Sequence, residues 1–169
     1  LDAVCRSGLC EGDGPDRFRF AHRQFAEHLA GRRVASLMAH QARSLLGAGA
    51  AGQSGVAGPL RETAAFAAME SAGVAAWITD EDPEVVGLSD VADTSLRRRA
   101  TLNLLEKFRR HELTDSQTRR DGIELAGFQY ARAEDDLRPV LRERQDGCQD
   151  VIECAVELIE GFAYRLLMR

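Results

Sequence analysis

The stretch 17–33 constrains the fold of this chain more than any other, because its hydrophobic period changes within a few residues. Residues 17–20 alternate arginine and phenylalanine, which is the pattern of a β-strand. The apolar residues that follow recur with the period of a helix and share one broad face, namely Phe25, Ala26, Leu29, Ala30, Val34 and Leu37. The sequence therefore predicts a strand that leads straight into a helix, with His22 at the junction.

A hairpin is predicted before this helix, and a flexible connection after it. The Gly- and Pro-containing loop 12–15 joins a short strand near Cys10 to the strand at 18–20. The helix is predicted over 24–46, either continuous or broken near His40. Residues 47–58 are almost all small, and this composition predicts a flexible linker and a domain boundary.

Everything beyond residue 58 is predicted to be helical. Pro59 suits the first turn of a helix that Gly73 would cap at its end, and Asp82 precedes Pro83 as the N-cap of a second helix. Ser95 opens the longest predicted helix, and further helices are expected near 121–129, 134–144 and 149–167. These short amphipathic helices predict a mainly α fold, arranged either as a HEAT-like array or as an unrelated compact bundle.

The composition favours a soluble helical protein and argues against several functions. The chain has 169 residues, of which 44% are hydrophobic and only 6% aromatic. Its net charge of −5 argues against a dedicated nucleic-acid binder, whose affinity would depend on neutralising phosphates. No apolar run approaches the roughly 20 residues needed to span a bilayer, so we expect no membrane association. Leu1 looks like a position inside a domain, and we interpret the chain as part of a longer protein.

Neither a metal site nor an enzyme active site is predicted. The four cysteines are separated in a way that fits no zinc pattern, and we expect buried free thiols at Cys5, Cys10, Cys148 and Cys154. His22 and His28 are not spaced as in HExxH, and the chain contains no GxxxxGK[S/T] loop for binding nucleotide. The sequence therefore predicts no catalytic residues and no cofactor bound by this segment alone.

The charged residues are unevenly distributed along the helical part. Cations outnumber acids over 95–121, where Arg97, Arg98 and Arg99 are consecutive, and acids outnumber cations over 134–160. Solvated faces that attract each other across the helices are one interpretation, and an interaction surface for a partner is the other. Glu27, Arg32 and Arg33 are expected to form exposed or interdomain ion pairs, whereas Phe20, Phe25 and Leu29 are expected in the core.

The residues around His22 form a pattern that resembles the end of the winged-helix module of NACHT-type NTPases of the STAND class. This family includes animal inflammasome receptors and bacterial antiphage sensors. The pattern is Phe-x-His-x-x-Phe-x-Glu-aromatic-x-Ala-Gly/Ala-Arg, and the matching residues are Phe20, His22, Phe25, Glu27, Ala30, Gly31, Arg32 and Arg33. The chain departs from the pattern at one place, where His28 replaces the aromatic residue.

The resemblance implies the end of a winged helix over 1–46, a linker over 47–58 and a helical sensor or scaffold region over 59–169. It also implies that His22 contacts the phosphates of ADP held by an NTPase domain upstream, and that the full-length protein binds ADP and ATP. The implied partners are that domain, a proteinaceous trigger and neighbouring protomers in an activated homo-oligomer. The implied setting is cytoplasmic, in bacterial innate immunity against viruses.

Two other functions remain open. The first is a helical-repeat scaffold for protein–protein interaction that does not depend on nucleotide. The second is a winged-helix transcription regulator with a helical ligand-binding domain, whose recognition helix would have to precede Leu1. The residues encoded upstream distinguish the three, since only the NTPase reading requires a Walker A loop there.

Overall fold

The computed structural model describes residues 8–12, 17–49, 55–89, 91–113, 128–142, 151–152 and 155–156. It begins with a two-stranded antiparallel hairpin formed by β1 (Cys10–Gly12) and β2 (Phe18–Phe20). The register pairs Cys10 with Phe20 and Gly12 with Phe18. The predicted hairpin is therefore confirmed. The predictions for Cys5, Cys148 and Cys154, and most of those for 121–129 and 149–167, lie outside the described residues.

The rest of the described chain is helical. The α-helices are α1 (Arg23–Ala35), α2 (Ala39–Leu46), α3 (Arg61–Glu70), α4 (Ala72–Glu81), α5 (Thr94–Arg109) and α6 (Ala133–Arg142). Two 3₁₀ helices, Gly58–Leu60 and Pro83–Leu88, precede α3 and follow α4. Residues 151–152 and 155–156 are also helical. The predicted mainly α fold with an N-terminal hairpin is confirmed.

Local capping explains where several helices begin. The carboxylate of Asp93 accepts hydrogen bonds from the backbone N–H groups of Ser95 and Leu96, at 2.7 and 3.2 Å, and so starts α5. The hydroxyl of Ser71 caps α4 through the N–H of Val74. Gly73 therefore lies in the first turn of α4, and the prediction that it caps the preceding helix was wrong.

Helix pairs stack on one another in the described chain. α1 packs on α3, α2 packs on α4, and α4 packs on α5, while the second 3₁₀ helix contacts α3, α4 and α5. The core is made of small and aliphatic side chains, including Ala64, Ala67, Val74, Ile78, Val85, Val86, Ala100, Leu104 and Leu105. Helical arrays bury their apolar faces by stacking in this way. That these helices form a HEAT-like array rather than an unrelated compact bundle stays a prediction.

The ends of the predicted linker are paired with each other. Gly47 and Val56 form an isolated antiparallel bridge, and the N–H of Ala57 donates to the carbonyl of Leu46 at 2.8 Å. Val56 is buried in the core. The helical elements before and after this segment contact each other, since α1 packs on α3 and α2 packs on α4. Residues 50–54 of the predicted linker lie outside the described residues.

Candidate functional site at the strand-to-helix junction

His22 lies where the hairpin ends and α1 begins, as the sequence predicted. It occupies the N-cap position with an extended backbone, and its side chain forms no capping hydrogen bond. The imidazole is exposed, and its only described ring contact is with Phe25, at 5.8 Å between ring centroids. The side chain of His22 therefore does not cap α1. An exposed imidazole at this position can donate to or accept from a ligand or a partner.

The beginning of α1 has the electrostatics of an anion site. No acidic residue lies in its first turn, and the unpaired N–H groups there carry partial positive charge. Arg23 adds a cation, although its guanidinium already bonds the carboxylate of Glu27 at 2.6 Å. A negatively charged group such as a phosphate is therefore favoured next to His22.

The side of α1 that is buried is not its most hydrophobic side. Glu27, Gly31 and Val34 are buried, and they are spaced four and three residues apart along one side. An added Cβ at Gly31 would lie 2.6 Å from the Cβ of Phe66 and 2.9 Å from the carbonyl oxygen of Thr63. The backbones of α1 and α3 are therefore closer together than any larger side chain at Gly31 would allow.

The prediction that Phe20, Phe25 and Leu29 belong to the core was wrong. Their exposed fractions are 40%, 38% and 50%. The close approach at Gly31 turns the opposite side of α1, which carries Phe25 and Leu29, toward solvent. Phe25 lies beside His22, and we call the exposed residues Phe20, His22, Phe25 and Leu29 the junction surface.

The charged residues of the pattern have two different environments. Glu27 was expected at an exposed or interdomain ion pair, but it is buried and paired with Arg23 within the same helix. Arg32 pairs with Glu70 of α3 at 3.4 Å, and both side chains are exposed. Such exposed pairs contribute roughly 0–1 kcal/mol. Glu27 therefore supports the helix locally, whereas Arg32 joins α1 to α3 at the surface.

A shallow groove adjoins the junction surface at the other end of α1. Its volume is about 460 Å³, and its lining residues are Leu29, Arg32, Arg33, Ala35, Ser36 and Glu70. Leu29 belongs to both the groove and the junction surface. The solvent-facing side of α1 thus runs from an imidazole, through aromatic and aliphatic side chains, to two arginines.

Phe25→Ala should have a small effect on the stability of this chain. Because Phe25 is partly exposed, we expect a loss of about 1 kcal/mol in the free energy of unfolding, rather than the roughly 3–5 kcal/mol typical of a buried phenylalanine. Urea unfolding followed by circular dichroism measures the difference. A loss above about 3 kcal/mol would show that Phe25 is part of the core after all.

The arginine cluster at 97–99 is engaged in contacts within the described chain. Arg98 binds both carboxylate oxygens of Asp136, at 2.7 and 2.8 Å, and so joins α5 to α6. Arg99 bonds Asp80 of α4 at 2.7 Å, and Arg97 donates to the carbonyl oxygens of Val91 and Gln129. The Arg98–Asp136 pair is an attraction of the predicted kind between the basic and acidic stretches, and an interaction surface for a partner stays the other prediction.

Tyr130 completes this cluster, because its hydroxyl donates to Asp136 at 2.8 Å. The hydrogen bond from Arg98 holds the pKa of Asp136 below its usual range, and burial raises the pKa of the Tyr130 phenol. We expect Tyr130→Phe to lower the free energy of unfolding by about 1.5 kcal/mol, since it removes one hydrogen bond to a charged acceptor. Equal urea midpoints for the two proteins at pH 7 would contradict this.

The described part of the chain contains neither a metal-binding cluster nor a membrane-spanning helix. It holds no group of three or more His, Cys, Asp or Glu side chains placed to bind a metal ion. Cys10 is half-buried and is a free thiol. None of the helices within the described ranges has the length and apolar character that crossing a membrane requires.

The candidate site is therefore the junction surface, built from a hairpin, an N-cap imidazole and the uncovered side of α1. Comparison with known proteins found no match. The chain matches no protein-family model, no curated protein and no solved structure.

Proposed function

We propose that this chain is a regulatory segment of a NACHT-type STAND NTPase. In this proposal the junction surface docks on an NTPase domain encoded upstream, where His22 contacts the phosphates of ADP and holds the inactive state. The helical region recognises a proteinaceous trigger and transmits that recognition to oligomerisation with neighbouring protomers. The setting is cytoplasmic defence against viruses, and the ATPase chemistry belongs to the upstream domain.

The observation that supports this proposal is the exposed His22 without a capping role, beside exposed apolar side chains. His22 neither caps α1 nor lies in the core, and its ring contacts only Phe25 among the described aromatic residues. Exposed Phe25 and Leu29 are large apolar side chains of the kind that anchor protein interfaces. An interface that covers them would bring the imidazole into a desolvated site.

The chemistry of the junction suits a diphosphate. An imidazole N–H donates a directional hydrogen bond to a phosphate oxygen, and such a charge-assisted bond is stronger than one between neutral groups. The N–H groups at the start of α1 add partial positive charge on the same side. Loss of the diphosphate, or its replacement by a differently placed triphosphate, would remove this contact and free the junction surface.

His22→Ala in the full-length protein tests the proposal, with His28→Ala as the matched control. His28 is also an exposed imidazole of α1, but its ring contacts Phe66 at 5.2 Å and does not lie at the junction. Losing one hydrogen bond to a charged phosphate should weaken ADP retention at least about tenfold. The ADP that stays bound after gel filtration should fall in the His22 variant only. Equal retention in all three proteins would rule out the proposed contact.

The stacked helix pairs also support a second function, a nucleotide-independent scaffold that binds a protein partner through the junction surface. The two proposals differ in what precedes Leu1 in the native gene. A Walker A loop there supports the NTPase segment, and an upstream sequence without one supports the scaffold.

A further inference from the structure

The groove between the ends of α1 and α3 combines an apolar wall with a cationic rim. Leu29 and Ala35 supply the apolar wall, and Arg32 and Arg33 supply the cations. Half of the surface of Leu29 is exposed, so this side chain is open to a partner. The groove is therefore suited to an apolar side chain that is accompanied by negative charge.

The packing of the two helices holds the groove in place. α1 and α3 cross closely at Gly31, where no larger side chain fits. The carbonyl oxygen of Arg33 accepts hydrogen bonds from the backbone N–H and the hydroxyl of Ser36, at 3.3 and 2.7 Å, and these bonds fix the end of α1. Because backbone contacts hold both walls, the groove exists before any partner binds. Binding to a preformed site loses less conformational entropy.

Arg33 is a cation of the groove that the fold does not neutralise. Arg32 pairs with Glu70 of α3 at 3.4 Å. Arg33 is exposed, and its guanidinium forms no ion pair with an acidic residue of the described ranges. Glu27, the only acidic residue of α1, is buried. The exposed charges of α1 are therefore all positive, and they favour a partner that carries carboxylates.

Three other occupants fit this groove less well. A second copy that paired symmetrically through the groove would place arginines against arginines. A nucleic acid would gain from the arginines but not from Leu29 and Ala35, and the chain as a whole has a net charge of −5. A lipid surface binds apolar side chains that project into it, whereas this site is concave. A side chain that projects from a protein partner fits both the shape and the charge.

We propose that the groove binds an acidic amphipathic helix of a protein partner. In this arrangement an apolar side chain of the partner packs on Leu29 and Ala35. A carboxylate three or four residues away lies on the same face of the partner helix and pairs with Arg33, and a second carboxylate competes with Glu70 for Arg32. Arginine binds a carboxylate through two parallel hydrogen bonds, which makes such a pair specific. Amphipathic helices commonly fill grooves through apolar anchors at this spacing.

This inference goes beyond the proposed function, because it concerns the other end of α1 and needs no nucleotide. The contact of His22 with ADP requires an upstream domain, whereas helix binding is measured on the 169-residue chain. The two proposals share only Leu29, which the experiment leaves unchanged. A chain that failed to bind the helix would leave the ADP contact unaffected, and a failed ADP contact would leave helix binding unaffected.

Two synthetic helical peptides of about 18 residues, or roughly five turns, test the groove. One has leucine at every third or fourth position and glutamate on its other faces, and the second has lysine in place of glutamate. In NMR titrations of the chain, the glutamate peptide should bind with a Kd on the order of 100 μM and shift the amide signals of Leu29, Arg33 and Ser36. The lysine peptide should bind there at least about tenfold more weakly. Unshifted amides, or equal binding of the two peptides, would overturn the proposal.

Arg33→Glu identifies the residue that recognises the charge, with Arg138→Glu as the matched control. Arg138 is an exposed arginine of α6 and is not part of the groove. Because Arg33→Glu replaces an attraction by a repulsion, it should bind the glutamate peptide about tenfold more weakly and the lysine peptide more tightly. A damaged fold could not produce this gain, and Arg138→Glu should bind like the parent chain. If Arg33→Glu bound both peptides as the parent chain does, the proposal would be wrong.

The other occupants are tested under the same conditions. The probes are vesicles of phosphatidylcholine and phosphatidylserine, a single-stranded oligonucleotide, and the chain alone at increasing concentration. The proposal is supported if only the glutamate peptide shifts the amides of the groove. It is overturned if vesicles, the oligonucleotide or self-association shifts these amides as strongly as the glutamate peptide does.

Discussion

Gly31→Leu is expected to lower the free energy of unfolding by about 3 kcal/mol, at the upper end of the range for an overfilled core. Gly31 lies where α1 crosses α3 most closely. Even a methyl group there would lie 2.6 Å from the Cβ of Phe66, 2.9 Å from the carbonyl oxygen of Thr63 and 3.0 Å from the backbone nitrogen of Ala67. Two of these are backbone atoms that no change of rotamer can move. The helices must therefore separate to accommodate leucine.

Ala30→Leu is the matched control, because Ala30 is the adjacent residue of α1 and is exposed. It should change stability by less than about 0.5 kcal/mol, as surface substitutions usually do. Thermal unfolding should separate the two variants by roughly 6–12 °C in a chain of this size. The smaller change Gly31→Ala combines a gain in helix propensity of about 1 kcal/mol with the same close contacts. If Gly31→Ala were more stable than the parent chain, the close crossing of α1 and α3 would be incorrect.

Leu29→Asp is expected to have the opposite consequences, with a stable fold and a large loss of function. Leu29 lies two residues from Gly31, on the other side of the helix, and half of its surface is exposed. In the isolated chain the aspartate stays in water, so we expect a loss of only about 1 kcal/mol, as for the partly exposed Phe25. In the full-length protein the proposed interface would bury a carboxylate without a partner, at a cost of several kcal/mol. Docking should therefore fail, and ADP retention should fall at least about tenfold with it.

Leu45→Asp is the control for Leu29→Asp. Leu45 belongs to α2, and 60% of its surface is exposed, but it is not part of the junction surface. The two variants add the same charge at leucines that are 50% and 60% exposed, so the main difference is their position. ADP content and molecular mass by light scattering should be normal for Leu45→Asp and altered for Leu29→Asp. If both variants behave like the parent protein, the side of α1 that carries Leu29 is not an interface.

Much of the fold could be predicted from local signals. The hairpin follows from the alternation at 18–20 and the loop before it, and the longest helix was predicted to open at Ser95, one residue after α5 begins at Thr94. Attraction between basic and acidic stretches was also predicted and is present between Arg98 and Asp136. These features depend on residues close in sequence or on simple charge complementarity.

The packing of α1 could not be predicted from its hydrophobic period, because the helix has two candidate faces. The period identifies the side with Phe25 and Leu29, the more hydrophobic of the two. The structure buries the side with Gly31 instead, because the small residues of α3, such as Ala64 and Ala67, allow a close crossing there. The glycine and alanine residues spaced along α1 and α3 were the sequence signal that could have indicated this close crossing. The choice between the faces depends on the partner helix, which a single periodic pattern does not contain.

The candidate site was predicted in position but not in environment. The sequence places His22 at the start of the helix, and the structure adds that its imidazole is exposed and caps nothing. Asp82 was predicted as an N-cap, and it does hold that position before the second 3₁₀ helix. Its carboxylate instead bonds Val56 and Arg61, which are distant in sequence. Contacts of this kind depend on the tertiary fold and leave no local pattern.

Hydroxyl-radical footprinting of the full-length protein tests most directly whether the junction surface is covered in the ADP-bound state. Phe25 and Leu29 should be labelled in the 169-residue chain, protected in the ADP-bound full-length protein, and labelled again once ADP is removed. Met69 and Leu45, which are exposed elsewhere, serve as internal references. Labelling of Phe25 and Leu29 that is equal in the isolated chain and in the ADP-bound protein would contradict the proposed lock.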